Sequence, residues 1–321
     1  MNRGARRTAL VLTGPTGSGK SDWALRLAEQ VPIEIVSVDS AQVFRGMDIG
    51  TAKPSEAIRA RVAHHLIDIR DPAERYSAGE FVRDARAAIA AIQQRGRVPV
   101  LVGGTLLYLR ALLRGMAELP ERSPQLRAEI TARAAQVGWA PLHAELALID
   151  PRAAAKIHRN DPQRIQRALE VYRLTGRPIS EWQAATPAPD GGVHWLRFAL
   201  IPSDRAAHLK ALEQRLAAML DAGLLAEVMA LYGRGDLHAE LPSMRAVGYR
   251  QLWAHCAGRA TLAEATRQAL VATGQLAKRQ LSWLRGDSSF VPLDPAADSG
   301  FERILAALRT PAFMAGAPPG C

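Results

Sequence analysis

The clearest chemical pattern in the chain is a glycine-rich run that ends in a lysine and a hydroxyl residue. Residues 14–21 read GPTGSGKS and match the phosphate-loop pattern G-x-x-x-x-G-K-[ST]. In such a loop, backbone N–H groups close on phosphate oxygens, and the following helix adds partial positive charge at its N-terminus. Lys20 supplies a full charge, and the Ser21 hydroxyl can bind Mg²⁺. The predicted phosphate site is formed by Gly14, Pro15, Thr16, Gly17, Ser18, Gly19, Lys20 and Ser21.

The acidic residue expected beside such a loop is not where a nucleotide hydrolase places it. The apolar run 98–102 leads into Gly103, Gly104 and Thr105 without a carboxylate. The first acid after a predicted strand is Asp39. Because ligands bind at the carboxyl ends of parallel strands, Asp39 and Thr105 are expected to converge on the ligand of Lys20. This pattern favours a diphosphate site with a carboxylate base over an ATPase site.

Each of these residues also has a purely structural interpretation. Asp39 could cap the turn that follows it, since Asp is common at strand ends. Thr105 could cap a helix that begins at Leu106, and this role is compatible with a catalytic one. The pair His64 and His65 is expected to serve local packing or to lie on the surface.

Alternating strands and helices surround these residues. Strands are predicted at 9–13, 33–38 and 98–102, and a helix at 78–94. Strands that alternate with helices are typical of α/β proteins with a parallel sheet. The sequence therefore predicts an α/β fold with a P-loop-like, doubly wound parallel sheet as its core.

The pattern becomes helical after residue 119. One helix there is well delimited, because Asp161 is a good N-cap, Pro162 suits the first turn and Gly176 follows the last turn. A linker-like stretch, 184–192, ends this region, and a strand is predicted at 195–201. The predicted domains are a catalytic core formed by 1–118 and 193–321, and a helical insertion formed by 119–192.

The C-terminal part of the core is expected to be helical. A long helix should begin with a capping box at Thr261 and Glu264 and stop at Gly286. The tail after Asp294 is expected to be peripheral.

Charge and composition narrow the class of protein. The 321 residues carry 41 Lys and Arg against 31 Asp and Glu, a net charge of +10. The stretches 152–177 and 245–285 have net charges of +5 and +6, which is typical of a protein that binds a polyanion, although solvated helix faces remain an alternative. The two cysteines are too few for a disulfide framework, and no apolar run is long enough to span a membrane. A cytoplasmic protein is expected.

Several motifs in order resemble one family. They are GPTGSGKS (14–21), VDSAQVFRGMDIGTAKP (38–54), LVGGTLLYLRALL (101–113), NDPQRIQRALEVYRLTGRPIS (160–180), MRAVGYRQLW (244–253) and TGQLAKRQLSWLR (273–285). Together they resemble the bacterial type of the tRNA dimethylallyltransferase family.

This resemblance implies that dimethylallyl diphosphate alkylates N6 of the adenosine 3′ to the anticodon, at tRNA position 37, with release of diphosphate. It implies that the loop holds the donor with Mg²⁺, bound in part by Ser21. It further implies that Asp39 is the general base, that Thr105 contacts the bridging oxygen of the leaving group and that Arg127 helps to hold the diphosphate. The implied partners are the tRNA anticodon stem-loop and the donor, and the chain is expected to be a monomer.

Four segments resemble the tRNA-contacting regions of the family. They comprise Asp39, Ser40, Ala41 and Gln42; Gln163, Arg164, Ile165, Gln166 and Arg167; Arg245, Ala246, Val247, Gly248, Tyr249 and Arg250; and Thr273, Gly274, Gln275, Leu276, Ala277, Lys278, Arg279 and Gln280. Two positions depart from the family pattern. Phe44 stands where the family often has Tyr, and Gly274 stands where it commonly has Arg.

Two other functions remain open on the sequence alone. A small-molecule kinase uses a similar phosphate loop for a different reaction. A third possibility is a non-catalytic RNA-binding module that resembles an NTPase. Release of diphosphate without ATP turnover, in the presence of tRNA, would separate the first interpretation from both alternatives.

Overall fold

The computed structural model describes residues 7–117, 119–185 and 192–310 of the chain. These residues separate into two compact units, Met1–Leu109 with Asp190–Cys321, and Arg110–Pro189. The domain limits predicted from the sequence, 119 and 192, remain a prediction.

The first unit is built on a six-stranded sheet in which every neighbouring pair is parallel. The order of the strands is β3-β2-β4-β1-β5-β6. Their bounds are β1 Arg7–Thr13, β2 Ile33–Ser37, β3 His64–His65, β4 Val98–Gly103, β5 Val193–Leu200 and β6 Val291–Leu293. The predicted α/β fold with a parallel sheet is confirmed.

Helices cover both faces of this sheet, which explains why its central strands are almost wholly apolar. All five residues of β2 are buried, although one of them is Glu34. The helices of the first unit are α1 Lys20–Ala28, α2 Glu56–Arg61, α3 Ala78–Gln94, α4 Leu106–Arg114, α10 Arg205–Asp221, α11 Leu224–Tyr232, α12 Tyr249–Cys256, α13 Leu262–Arg285 and α14 Asp298–Leu308, with the limit between the units falling inside α4.

The second unit is helical and has its own apolar core. Its helices are α5 Pro124–Val137, α6 Trp139–Ile149, α7 Pro151–Ala154, α8 Pro162–Thr175 and α9 Ile179–Ala184. The core includes Ile130, Leu142, Leu146, Ile165 and Leu169, all of them fully buried.

The local helix signals in the sequence are confirmed. The Asp161 side chain accepts a hydrogen bond from the Arg164 amide, and α8 ends at Gly176 in the left-handed conformation. Thr261 and Glu264 form the predicted capping box of α13. Short motifs of this kind act within one turn of chain, so they can be read without knowledge of the fold.

Two edge strands were not predicted, and the prediction about the tail needs correction. His64 and His65 form the short edge strand β3, and a second edge strand, β6, lies in a stretch with no predicted strand. The tail is not peripheral as far as residue 308, since Phe301 and Ile304 of α14 are buried in the same cluster as Trp23 of α1. The rings of Trp23 and Phe301 meet edge to face at 5.7 Å. The apolar spacing within α14 does not indicate that the helix packs against α1. The linker at 184–192 lies largely outside the described residues.

Candidate active site at the ends of the parallel strands

The predicted phosphate loop connects β1 to α1. Gly19 is the N-cap of α1 and has φ of +77°, a conformation that disfavours residues with a Cβ. Lys20 follows as the first residue of the helix, and its Nζ donates a hydrogen bond to the Pro15 carbonyl oxygen at 3.1 Å. Burial lowers the pKa of Lys20 to about 8; the charge of Asp39 opposes this shift and that of Arg215 adds to it.

The loop also contains a buried hydroxyl that is suited to a ligand. Ser18 is 3% exposed, and its Oγ has no hydrogen-bond partner within the described parts of the chain. Buried polar atoms in folded proteins are nearly always paired. An oxygen-rich anion in the loop would give this hydroxyl an acceptor.

The residues around the loop fit a metal that is held mainly by its substrate. Ser21 is exposed in the first turn of α1. Among the residues that the structure describes, no three His, Cys, Asp or Glu side chains form a metal site. Mg²⁺ commonly takes few protein ligands and fills its shell with water and substrate phosphate oxygens. A single hydroxyl beside a diphosphate is consistent with that donor set.

Asp39 follows β2 and shapes a turn. Its Oδ1 accepts hydrogen bonds from the amides of Ala41 at 2.8 Å and Gln42 at 3.3 Å. The structural interpretation of Asp39 as a cap is therefore correct for one of its two oxygens. Asp39 is also close enough to Lys20 and Arg215 to affect the pKa of each. The carboxylate is therefore within electrostatic range of two cations.

Thr105 follows β4 and is joined to the turn formed by Asp39. Its Oγ1 accepts a hydrogen bond from the Ser40 amide at 3.0 Å, and its own amide donates to the Val38 carbonyl oxygen at 3.1 Å. The structure therefore brings Asp39 and Thr105 together at the carboxyl ends of β2 and β4. The hydroxyl accepts from Ser40, which lies in the turn after β2.

Gln280 of α13 holds the phosphate loop against the end of β4. Its Oε1 accepts from the Thr16 amide at 2.9 Å, and its Nε2 donates to the Gly104 carbonyl oxygen at 2.8 Å. A Cβ at Gly104 would lie 2.5 Å from Nε2, so a side chain there would displace the Gln280 amide from its hydrogen bonds. Gln280 is 7% exposed. It supports the site from inside, a role that its place in a predicted tRNA segment did not reveal.

Helix α10 contributes residues to the site that sequence reasoning missed. His208 is buried, and its Nε2 donates to the Thr16 carbonyl oxygen at 2.9 Å. Arg215 lies two turns further along the helix; burial lowers its pKa, and the charges of Asp39 and then Asp22 oppose that shift. Arg215 therefore adds a second cation near Asp39. It sits in no motif, so nothing in the local sequence distinguishes it from other helix arginines.

The residues predicted to contact tRNA fall into accessible and inaccessible groups. Ile165, Gln166, Gly248, Tyr249, Ala277 and Gln280 are buried in this structure, and their contact with tRNA stays a prediction. The exposed members are Ser40, Gln163, Arg164, Arg245, Arg250, Gln275, Lys278 and Arg279. Partly buried are Asp39, Ala41, Gln42, Arg167, Ala246, Val247, Thr273, Gly274 and Leu276.

In the helical unit, two arginines share one buried carboxylate. Glu170 is fully buried, and its Oε2 lies 2.9 Å from Nη1 of Arg167 and 3.3 Å from Nη1 of Arg127. Arg167 also donates to the Pro120 carbonyl oxygen at 2.7 Å. The role of Arg127 at the diphosphate stays a prediction, and Glu170 is a partner that the sequence analysis did not find.

None of the helices in the described ranges, 7–117, 119–185 and 192–310, is both long and apolar enough to cross a membrane.

Comparison with known proteins gives consistent matches over most of the chain. The profile of the family described as IPP transferase matches residues 42–287. A tRNA dimethylallyltransferase of Thioalkalivibrio sulfidiphilus is 55% identical over 294 residues, which are 90% of this chain and 92% of that protein. One from Halorhodospira halophila is 56% identical over 282 residues, 88% of this chain and 91% of that protein.

Solved structures agree with these sequence matches. A tRNA isopentenylpyrophosphate transferase of Bacillus halodurans superposes with a TM-score of 0.69 at 34% identity, covering 94% of this chain and 95% of that one. A eukaryotic dimethylallyltransferase acting on tRNA has a TM-score of 0.78 at 25% identity, covering 98% of this chain and 81% of that one.

Proposed function

The chain belongs to the IPP transferase family and is a transferase that modifies tRNA with a prenyl group, and from this premise we propose its donor, its acceptor atom and its base. The donor is dimethylallyl diphosphate, the acceptor is N6 of the adenosine at tRNA position 37, and the base is Asp39. The observation that carries this proposal is the hydrogen bond that joins the turn of Asp39 to Thr105, at the ends of two neighbouring parallel strands. Lys20 and Arg215 are within electrostatic range of the Asp39 carboxylate. A base and a diphosphate site lie together there.

The donor diphosphate is held by the phosphate loop. The loop amides and the N-terminus of α1 provide donors for its oxygens, and the buried Ser18 hydroxyl provides another. Lys20 and Arg215 balance its charge. Transferases that use prenyl diphosphates generally involve a divalent metal ion; we propose Mg²⁺ with Ser21 as a ligand, where it would neutralise charge on the leaving diphosphate.

The transfer itself needs an accessible adenine and a stabilised leaving group. N6 of the adenosine is reached once the base is flipped out of the anticodon loop, which costs a few kcal/mol. As the new C–N bond forms and the C–O bond of the donor breaks, Asp39 accepts the N6 proton. Lys20 and Arg215 stabilise the charge that develops on diphosphate.

Thr105 is proposed to donate a hydrogen bond from its hydroxyl to the bridging oxygen of the leaving group. The Ser40 amide occupies an acceptor position on this hydroxyl, and the nearest protein acceptor, Ser40 Oγ, is 3.4 Å away. The proton is therefore only weakly engaged within the protein.

The test of this proposal is Asp39→Asn. Asn keeps the shape of the side chain and its turn, but it cannot take up the proton as a carboxylate does. We expect single-turnover prenyl transfer to fall by about 10²-fold or more, while tRNA and donor affinities change little. The measurement is the amount of prenylated adenosine, detected by mass spectrometry. Phosphate release is not a suitable measurement, because a kinase with this substitution would lose it too.

Asp22→Asn is the matched control, since Asp22 also lies near Arg215 but belongs to α1. It should transfer within about threefold of the unmodified enzyme. Transfer within threefold in Asp39→Asn would remove Asp39 from the mechanism.

A further inference from the structure

The carboxylate of Glu227, on α11, binds three consecutive amides of a distant loop. We refer to residues 47–53 as the 47–53 loop. Oε2 of Glu227 accepts from the amides of Asp48 at 2.9 Å and Ile49 at 2.8 Å, and Oε1 accepts from that of Gly50 at 3.3 Å. Hydrogen bonds to an ionised acceptor are stronger than neutral ones. One side chain thus fixes the backbone of half this loop.

Tyr249 of α12 completes the contact. Its phenol donates to Oε1 of Glu227 at 2.5 Å, and its side chain is fully buried. The ring also packs on Gly50, where a Cβ would lie 2.6 Å from the nearest ring carbon. Tyr249 therefore holds both the carboxylate and the loop that the carboxylate binds.

The 47–53 loop needs such support because its backbone is strained. Ala52 has φ of +49°, a conformation that costs a residue with a Cβ roughly 1 kcal/mol or more. The chain therefore keeps this conformation only while neighbouring contacts impose it. Lys53, at the other end of the loop, supplies one such contact: its Nζ donates a hydrogen bond to the Phe44 carbonyl oxygen at 2.8 Å.

Gln42 links the 47–53 loop to the turn of Asp39. Its Nε2 donates to the carbonyl oxygens of Thr51 at 3.2 Å and Ala52 at 3.3 Å, and its Oε1 accepts from Ser37 Oγ at 2.8 Å. Its backbone amide donates to Asp39 Oδ1. A continuous set of hydrogen bonds therefore runs from Tyr249 through Glu227, the loop and Gln42 to the carboxylate of Asp39.

We infer that Glu227 and Tyr249 are positioning residues for prenyl transfer. They set the 47–53 loop, and through Gln42 they set the orientation in which Asp39 meets the amine of the acceptor base. The inference rests on the proposed role of Asp39 as the base. Neither Glu227 nor Tyr249 needs to touch a substrate. Substituting them should therefore lower the rate of transfer and leave the affinity for the donor unchanged.

The experiment uses Tyr249→Phe, which removes one hydroxyl, and Glu227→Gln, whose amide oxygen can still accept from part of the loop. We expect single-turnover transfer at saturating tRNA and donor to fall by about 10-fold in Tyr249→Phe, with donor Kd within twofold of the unmodified enzyme. Glu227→Gln should show a loss of the same kind. Tyr232→Phe, the same chemical change at a half-exposed tyrosine of α11, should transfer within twofold.

A double variant separates positioning from general stability. If Tyr249 acts through the carboxylate of Asp39, Tyr249→Phe with Asp39→Asn should be no more than twofold slower than Asp39→Asn alone. A merely structural role would multiply the two losses, and that result would overturn the inference. Transfer within twofold in Tyr249→Phe, beside a slow Asp39→Asn, would also overturn it and leave the proposed function standing. Rapid transfer by Asp39→Asn itself would overturn both.

Discussion

At the scale of single residues, the hydroxyl of Thr105 shows how one group can serve structure and chemistry together. Its oxygen accepts a hydrogen bond from the Ser40 amide nitrogen at 3.0 Å, and this bond joins the ends of β2 and β4. A hydroxyl that accepts one hydrogen bond still has a proton to donate. The structural bond therefore holds the oxygen in place while the proton stays available for the leaving group.

Thr105→Ala should lower turnover by about 10-fold or more, with the KM of donor and tRNA nearly unchanged, because the lost interaction forms in the transition state. Thr105→Ser keeps the hydroxyl and should restore most of the rate. Steady-state kinetics and thermal melts on the same samples provide the measurement. Normal kinetics with a stability loss of about 0.5–2 kcal/mol would instead mean that the hydroxyl only supports the fold.

At the scale of elements, helix α13 contains a glycine that packing does not require. A Cβ at Gly274 would have Leu209 Cδ2 as its nearest neighbour at 3.7 Å, an ordinary van der Waals distance. Glycine inside a helix costs roughly 1 kcal/mol relative to alanine, because the unfolded chain gains freedom.

We expect Gly274→Ala to raise the free energy of unfolding by about 0.5–1 kcal/mol, measured by urea denaturation. Gly104→Ala is the contrasting variant, since its Cβ would lie 2.5 Å from Gln280 Nε2 and 3.1 Å from the Gly14 carbonyl oxygen. That variant should lose stability. A destabilised Gly274→Ala would show that this part of α13 is packed more tightly than the distances indicate.

Strand β2 contains a buried acidic residue, Glu34, that is paired with charged side chains around it. This residue is 4% exposed, and its carboxylate binds Arg95 at 2.6 Å and His65 at 2.7 Å. The hydrogen bond from Arg95 holds the pKa of Glu34 below its usual value, against the opposing effect of burial. A lowered folded-state pKa stabilises the protein above the unfolded pKa, and the contribution disappears as the pH falls through the folded value.

Glu34→Gln should therefore lower the free energy of unfolding by about 1–3 kcal/mol at pH 7. The difference from the unmodified protein should shrink as the pH falls from the usual glutamate pKa, about 4.5, through the lower pKa of the folded state, where the buried carboxylate becomes protonated. Urea denaturation across this pH range is the measurement. Glu29→Gln, at an exposed pair with Arg61, should cost no more than about 0.5 kcal/mol. An equal loss at every pH would argue against ionisation as the cause.

At the scale of the whole molecule, the formal charge overstates what is available to tRNA. Within the stretch 152–177, Arg167 binds the buried Glu170, and Arg173 lies 3.2 Å from Glu145. Arg164 also has a partner, Asp161 at 3.3 Å, but its side chain is 71% exposed and so remains open to a ligand. Counting charges along the sequence could not distinguish these arginines, because their partners lie on other turns or helices.

Arg164→Gln should therefore weaken tRNA binding and reduce the slope of log K against log salt by about 1, with stability unchanged. Arg167→Gln leaves Glu170 buried with fewer partners, so it should lower the melting temperature. Binding titrations at several salt concentrations, beside thermal melts, separate the two. If Arg164→Gln keeps the original slope, this arginine is a solvated bystander and the basic stretch contributes through other residues.

The sequence by itself determined the features that short stretches of chain specify. The phosphate loop, the parallel α/β core and the capped ends of α8 and α13 follow from spacing within a few residues or from the alternation of elements. Asp39 and Thr105 were predicted to converge because strands of a parallel sheet end at the same edge. Backbone geometry alone sets such relations, and the residue types report them directly.

Only the tertiary structure decided which distant side chains support these features. Gln280 lies 264 positions from Thr16, and His208 lies 192 from it, yet both bind its backbone. Glu227 reaches the 47–53 loop across 179 positions. Arg215, Glu170 and α14 acquired their partners in the same way. Each of these side chains belongs to a helix. Its partner is fixed by how the helices pack, and no local sequence pattern encodes that packing.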